Sequence, residues 1–173
     1  ISINKSIAVI GENRQTTIID GNDNTTVLQL ENITDTSMTV QGFTLKNGRG
    51  DNIIAYGSNG GGIKILNSNV RILDLIVKEN TGPESHGGGI YIYNSNPIIS
   101  DVVITGNSSD FEGGGIYINN GHPILNNVIV ENNEAGGDGG GIYIDQWSNP
   151  HLNNVTIVGN AAEQYGGGIA SWY

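Results

Sequence analysis

One word, Gly-Gly-Gly-Ile, returns five times at nearly fixed intervals and constrains the fold more than anything else in the chain. It occurs as Gly60-Gly61-Gly62-Ile63, Gly87-Gly88-Gly89-Ile90, Gly113-Gly114-Gly115-Ile116, Gly139-Gly140-Gly141-Ile142 and Gly166-Gly167-Gly168-Ile169. The isoleucines stand at 63, 90, 116, 142 and 169, so the steps are 27, 26, 26 and 27. A period of this length means a solenoid or a propeller, in which each unit buries its apolar face only against its neighbours.

Aligning the repeats on their glycines produces apolar columns. Ile63, Ile90, Ile116, Ile142 and Ile169 form the first, and Ile65, Ile92, Ile118 and Ile144 the second. Ile72, Ile99, Leu125 and Leu152 form the third. Leu75, Val102, Val128 and Val155 form the fourth; Val77, Ile104, Val130 and Ile157 form the fifth. Paired members of one repeat, such as Ile90 and Ile92, are two residues apart, which is strand periodicity with both side chains on one face. No window carries a helical apolar period. A unit of about 26 residues is too short for a propeller blade of roughly 40–45 residues. It fits one coil of a single-stranded parallel β-helix with three short strands per coil, stacked about 4.8 Å apart and wound right-handed. The expected organisation is one continuous solenoid, with irregular coils over residues 1–59 and regular coils over 60–173. In the irregular part, 7–10, 17–19, 27–30 and 38–40 read as strands, and the stretch from Gly48 to Asn59 reads as a bulging loop.

Three polar columns mark the corners. Asn80, Asn107, Asn133 and Asn160 precede the triplets; Asp74, Asp101, Asn127 and Asn154 lie between the third and fourth apolar columns; Asn69, Asn96, His122 and Asn149 precede Val70, Pro97, Pro123 and Pro150. Asparagine tolerates positive φ, and its amide can bond the coils above and below, so these columns read as structural ladders.

Charge narrows the partners. All seven Lys and Arg lie at or before Lys78; from Glu79 onward there are ten acids and no Lys or Arg, which accounts for the net charge of −10. Such a surface repels phosphates, so nucleic acid is not an expected partner, and anionic polysaccharides and acidic lipid surfaces are disfavoured. No run is long enough for a membrane-spanning helix. Without cysteine there is no disulfide framework and no Cys-based zinc site. The triplets lack the Lys and Ser/Thr of a phosphate-binding loop. Gly136-Gly137-Asp138-Gly139-Gly140-Gly141 does not repeat every nine residues as a calcium-binding nonapeptide would.

The Gly-Gly-Gly-Ile-x-Ile word, with an aliphatic-x-x-Asn group upstream, resembles the right-handed parallel β-helix repeats of bacterial surface proteins. It is similar to the polymorphic outer membrane protein repeats, written Gly-Gly-Ala-Ile and Phe-x-x-Asn. Here glycine takes the third position, and Val77, Ile104, Val130 and Ile157 take the place of the aromatic. Ile18-Ile19-Asp20-Gly21 and Gly42-Phe43-Thr44-Leu45-Lys46-Asn47-Gly48 resemble early coils of pectate-lyase-like β-helices. The resemblance implies either secreted or cell-surface adhesins and stalks, or polysaccharide-active enzymes. Lyases of this fold use a basic residue as base, and no Lys or Arg follows Lys78.

Two outward features are candidate sites. Tyr91, Tyr117 and Tyr143 each stand between inward isoleucines, with Lys64 and Ala170 at the column ends and Tyr93 and Trp147 nearby. Such a strip could stack on sugar rings, or simply pair across strands at about 0.2–1 kcal/mol each. Because Tyr117 points outward, Tyr117→Ser should cost far less than Ile118→Ala. The second feature is the residue before each triplet: Asn59, His86, Glu112, Asp138 and Tyr165. His86, Glu112 and Asp138 on consecutive coils are a candidate cation site or set of paired acids, against the plainer role of a solvated loop edge. No catalytic residue is assigned. No cofactor is expected; calcium is compatible with the chain, but no ligand set is assigned to it. The expected function is a non-catalytic structural or adhesive segment, extracellular or on a bacterial cell surface. The alternative is a neutral-carbohydrate-binding β-helix or the remnant of a polysaccharide lyase or hydrolase. Further coils of the same chain, or end-to-end copies, are the expected structural partners.

Overall fold

The computed structural model describes residues 1–50 and 60–172. Most of the loop expected between Gly48 and Asn59, Asn59 as a member of the column before the triplets, and Tyr173 lie outside the described residues. Within them the regular structure is all strand. Ser2–Ile3, Leu28–Glu31, Ile63–Leu66, Ile90–Tyr93, Ile116–Asn119, Ile142–Ile144 and Ile169–Ser171 stack in that order into a seven-stranded sheet. Every neighbour in it is parallel and one coil away: Ile90 pairs with Ile63 on one side and Ile116 on the other. The period in the sequence is thus the register of the sheet.

The second and third strands of each coil form the other large sheet. Arg71–Leu73 and Ile76–Lys78, then Ile98–Ser100 and Val103–Thr105, are separate strands. Ile124–Glu131 and His151–Val158 run through the same corner as single eight-residue strands. The corner itself is uniform: Asp74, Asp101, Asn127 and Asn154 all take positive φ, between 49° and 59°. Each coil also carries a fourth, two-residue strand that the sequence pattern does not announce: Thr81–Gly82, Ser108–Ser109, Glu134–Ala135 and Ala161–Ala162.

The first coils use other means to the same end. Val9–Ile10 pairs with Thr39–Gln41, and Ile18–Asp20 with Thr44–Lys46, close to the strands expected there. Thr44–Lys46 in turn pairs with Ile76–Lys78, which joins the irregular and regular coils. Met38 and Phe43 are buried where the next coil has Val70 and Leu75. The Arg14 loop reaches along the axis: its Nη1 donates to the Asp101 carbonyl at 2.8 Å, and its Nε lies 3.4 Å from Asp74 Oδ1. One side chain thereby spans the corners of two later coils.

The core is a continuous apolar rod. All five columns are buried from Ile63 through Ile142, while Ile144, Leu152, Val155 and Ile157 are half-buried against it. The glycine triplets make its sharpest corner. Gly113 has φ of 69°, which L side chains rarely adopt. A Cβ on Gly114 would collide with the Glu134 carbonyl oxygen of the next coil.

Beneath each triplet runs the amide ladder. The Nδ2 of Asn80 donates to Asn107 Oδ1, that of Asn107 to Asn133 Oδ1, and that of Asn133 to Asn160 Oδ1, each at 2.9 Å. Each Nδ2 also donates inward to a carbonyl of the preceding coil: Leu45, Val77, Ile104 and Val130. The expected left-handed backbone is not at these asparagines. It belongs to the residue before each: Glu79, Gly106, Asn132 and Gly159. The asparagine is needed for its side chain, because a turn turned inside the rod leaves backbone groups that only an amide with both donor and acceptor can satisfy.

Candidate functional site

The first candidate is the outer face of the first sheet. Tyr91, Tyr117 and Tyr143 do stack on successive coils. Their centroids are 5.3 and 5.5 Å apart, and the rings are within 6° of parallel. The strip is nevertheless closed. The three residues are only 2, 6 and 8 % exposed, and they form a small apolar cluster of their own, with Leu66, Tyr93 and Ala170 packed on it. Each ring hides the faces of the next, and the loop before the triplet folds over the edge. The His86 ring stacks on Tyr117 at 4.5 Å, and Phe111 tilts against His86 at 5.3 Å. An open sugar-stacking platform, one of the two readings of Tyr91, Tyr117 and Tyr143, does not fit this burial: at coil spacing, stacked phenol rings bury one another.

The electrostatics of the strip follow from that burial. All three phenols are held above their ordinary range, Tyr143 pushed up to about 12, chiefly by desolvation and then by nearby carboxylates, Asp145 among them. The Tyr117 hydroxyl donates to Asp145 Oδ2 at 2.7 Å; the same oxygen accepts from Asn119 Nδ2 at 2.5 Å, and Asp145 Oδ1 accepts the Gln146 amide at 2.7 Å. Asp145 is thus fixed from three sides.

The column before the triplets divides. His86 Nδ1 and Glu112 Oε2 meet at 2.6 Å, and hydrogen bonding from His86 holds the Glu112 carboxyl below the usual range. Asp138 does not join them; its Oδ1 accepts the Tyr165 amide at 2.9 Å. Among the described residues no group of three His, Cys, Asp or Glu could hold a metal ion. The acids do line a cleft elsewhere, of about 390 Å³, between Ser108, Asp110, Glu134, Gly136 and Glu163. There Asp110 Oδ2 already accepts the Glu84 amide at 2.8 Å.

Trp147 is placed differently from the tyrosines it was grouped with. It is 80 % exposed, and Trp172 is 62 % exposed. The two line one cleft of about 230 Å³, with Asp145, Asn149, Leu152 and Ser171. Trp172 was not singled out by sequence, because it lies one residue beyond the apolar pattern of the last strand. The signal for Trp147 was a spacing: Ile63 to Val70, Ile90 to Pro97 and Ile116 to Pro123 are seven residues, whereas Ile142 to Pro150 is eight. Counted back from the proline, Trp147 stands where the earlier coils have Asn67, Asn94 and Asn120. All four have positive φ, Trp147 at 60°. The three asparagines form an exposed ladder, Asn94 Nδ2 donating to Asn67 Oδ1 at 2.7 Å and Asn120 Nδ2 to Asn94 Oδ1 at 3.2 Å. Trp147 ends it.

A family model described as "Right handed beta helix region" matches residues 8–173. No curated protein and no solved structure matches the chain.

Proposed function

Because the chain belongs to the right-handed β-helix family, we propose that it acts as a non-catalytic structural or adhesive segment of a secreted or cell-surface protein, a rod that spaces or presents other groups. The observation that carries this reading is the closed outer face of the first sheet. The regular coils offer a solvent-facing strand with one residue per coil, where an extended polymer would find a repeating surface. Here that surface is filled by the chain's own tyrosines. The polar repeats are likewise used internally: the amide ladder under the triplets bonds backbone and neighbouring amides.

The acid–base groups fit this role better than catalysis. His86 is paired with Glu112 and its ring is stacked on Tyr117, and no Lys or Arg lies beyond Lys78 to serve as a base or to bind a carboxylated sugar. The test is turnover. Incubation with a panel of neutral and acidic polysaccharides should release no new reducing ends and no unsaturated products. Cleavage that disappears in Glu112→Gln or His86→Ala would overturn the reading. In the source organism, antibody against the chain should label the medium or the intact cell surface, and labelling confined to the cytoplasm would count equally against it.

A further inference from the structure

We propose that the outward face of the third strands, centred on Val103, packs against the same face of a second copy of the chain, with the two rods antiparallel. The proposal concerns assembly and does not depend on whether the rod is catalytic.

On the third strands the buried, inward residues are Leu45, Val77, Ile104 and Val130, so Ile76, Val103 and Ile129 point outward. They stand in one column, paired coil to coil. An uncovered strand face is ordinarily polar. Here three β-branched apolar residues follow one another, the first two half-buried and Ile129 38 % exposed. Each lies on a coil with a further coil paired on both sides. Their exposure is therefore lateral and is not produced by an end of the rod. On the coil before, the chain covers this column itself: Thr44 is only 4 % exposed, and its hydroxyl donates to the Arg14 carbonyl. The Arg14 loop thus borders the patch.

The neighbouring column says what covers it. Two residues on from the apolar column, Lys78, Thr105 and Glu131 stand outward on the same three coils. The column reads positive, neutral, negative. A half-turn about an axis along the strand, through Val103 and Thr105, leaves each column facing itself and inverts the order of the coils. Ile76 then faces Ile129 of the second copy, Val103 faces Val103, and Lys78 faces Glu131 in two equivalent contacts. That is the self-complementarity a two-fold interface requires. The charges are available for it. Lys78 meets only its chain neighbour Glu79, at 3.2 Å and on exposed side chains, and among the described residues Glu131 has no ion-pair partner. The charge of the whole chain selects the same orientation. A parallel pair would lay the coils that carry acids and no Lys or Arg side by side. The antiparallel pair sets the coils of Glu131 and Val158 against those of Lys78 and Lys46. The Arg14 loop then lies against the coil of Thr156 in the second copy. The patch is three coils long, about 15 Å at strand spacing, and small beside the roughly 800 Å² a side of a stable complex. The pairing is therefore weak and suited to rods already held close together.

Sedimentation equilibrium of the full chain at low salt, from micromolar to near-millimolar concentration, should show a monomer–dimer equilibrium that added salt weakens. Lys78→Glu and Glu131→Lys should each weaken it about tenfold or more, since each variant sets like charges together twice. Glu131→Lys lowers the net negative charge, so a loss there does not come from general repulsion. Mixed in equal amounts, the two variants should associate with each other as the wild type does, and the double variant should self-associate again. Val103→Asp should abolish the dimer. Lys5→Glu, the same change of charge on an exposed residue of the first coil, should leave it unchanged. Far-ultraviolet circular dichroism checks that each variant is folded. A monomer at every concentration would overturn the proposal. So would association that neither charge reversal weakens, as end-to-end stacking of rods would give, or a mixture of the two variants that stays monomeric.

Discussion

Two ladders climb the same coils, one inside the rod and one outside, and they are built on opposite principles. The inner one, Asn80–Asn107–Asn133–Asn160, is polar, and it is buried as far as Asn133. Each middle amide bonds the asparagine of the preceding coil, that of the following coil and a backbone carbonyl of the preceding coil. The outer one, Tyr91–Tyr117–Tyr143, is aromatic and covered by its own stacking and its flanking loops. Removing a rung from the first strands buried hydrogen-bonding groups in the neighbours; removing a rung from the second takes away mainly contact area, with one hydroxyl bond to Asp145 in the case of Tyr117. Burial alone does not distinguish the ladders, since members of both are nearly inaccessible. The kind of interaction does.

The largest expected effect breaks the inner ladder. Asn107→Leu keeps the approximate volume but leaves Val77 O, the Asn80 amide N–H, the Asn80 Nδ2 and Asn133 Oδ1 each short of a partner. Unsatisfied buried groups cost roughly 1–3 kcal/mol each and do not add fully, so the loss should be on the order of 5 kcal/mol. Chemical denaturation measures it. A loss below about 1 kcal/mol would mean that the amides merely fill space.

The outer ladder comes next. Ile118→Ala should cost about 2–5 kcal/mol. On sequence grounds Tyr117→Ser should cost far less, but Tyr117 is sandwiched between two rings and capped by His86. Truncating so large a buried ring belongs to the range of about 3–5 kcal/mol seen for aromatic deletions. The two variants should therefore unfold at similar denaturant concentrations. A much milder Tyr117→Ser would restore the picture of an open strip.

That revision shows what a single sequence makes legible. Direction along a strand was readable: inward Ile116 and Ile118 and outward Tyr117 follow from a period of two. The five apolar columns and their register follow from the glycine spacing. Closure of the outer face was not readable, because it depends on His86 and Phe111 folding back from the preceding loop and on the coil spacing matching ring thickness. The same holds for the pairing of His86 with Glu112 while Asp138 turns to the Tyr165 amide. Loop side chains on adjacent coils share a column without sharing a direction. Positive φ was assigned to the asparagines at 80, 107 and 133 when it belongs to Glu79, Gly106 and Asn132. Two neighbouring residues divide the corner, one bending the backbone and the other satisfying it, and residue type alone does not separate the tasks.

A smaller effect sharpens the aromatic side of the comparison. The phenols of Tyr91, Tyr117 and Tyr143 are raised above the ordinary value by burial. A folded-state value above the unfolded one, near 10, means stabilisation that is fully present below pH 10 or so. It is lost as pH rises through the folded values, the first being that of Tyr143 at about 12. Phenolate absorbance should then show three of the seven tyrosines failing to ionise near pH 10 and appearing only together with unfolding. Seven phenols titrating reversibly near pH 10 would contradict the closed stack.

The smallest effect concerns the edge that closes it. Hydrogen bonding from His86 lowers the Glu112 carboxyl, so here the sign is reversed. The stabilisation is present above the unfolded value of about 4.3 and is lost as pH falls through the folded one. Both side chains keep a quarter or more of their surface in water, 25 and 30 %. Screening should therefore hold the contribution within the range of about 0–1 kcal/mol typical of exposed pairs. Glu112→Gln should leave neutral-pH stability nearly unchanged and flatten the decline in acid. His86→Phe separates the two jobs of the imidazole, because a phenyl ring can still stack on Tyr117 but cannot pair with Glu112. It should flatten the acid limb as Glu112→Gln does, and the late ionisation of Tyr117 should persist. If His86→Phe instead brings Tyr117 down to an ordinary titration, the charge pair and not the ring is what keeps water off the stack.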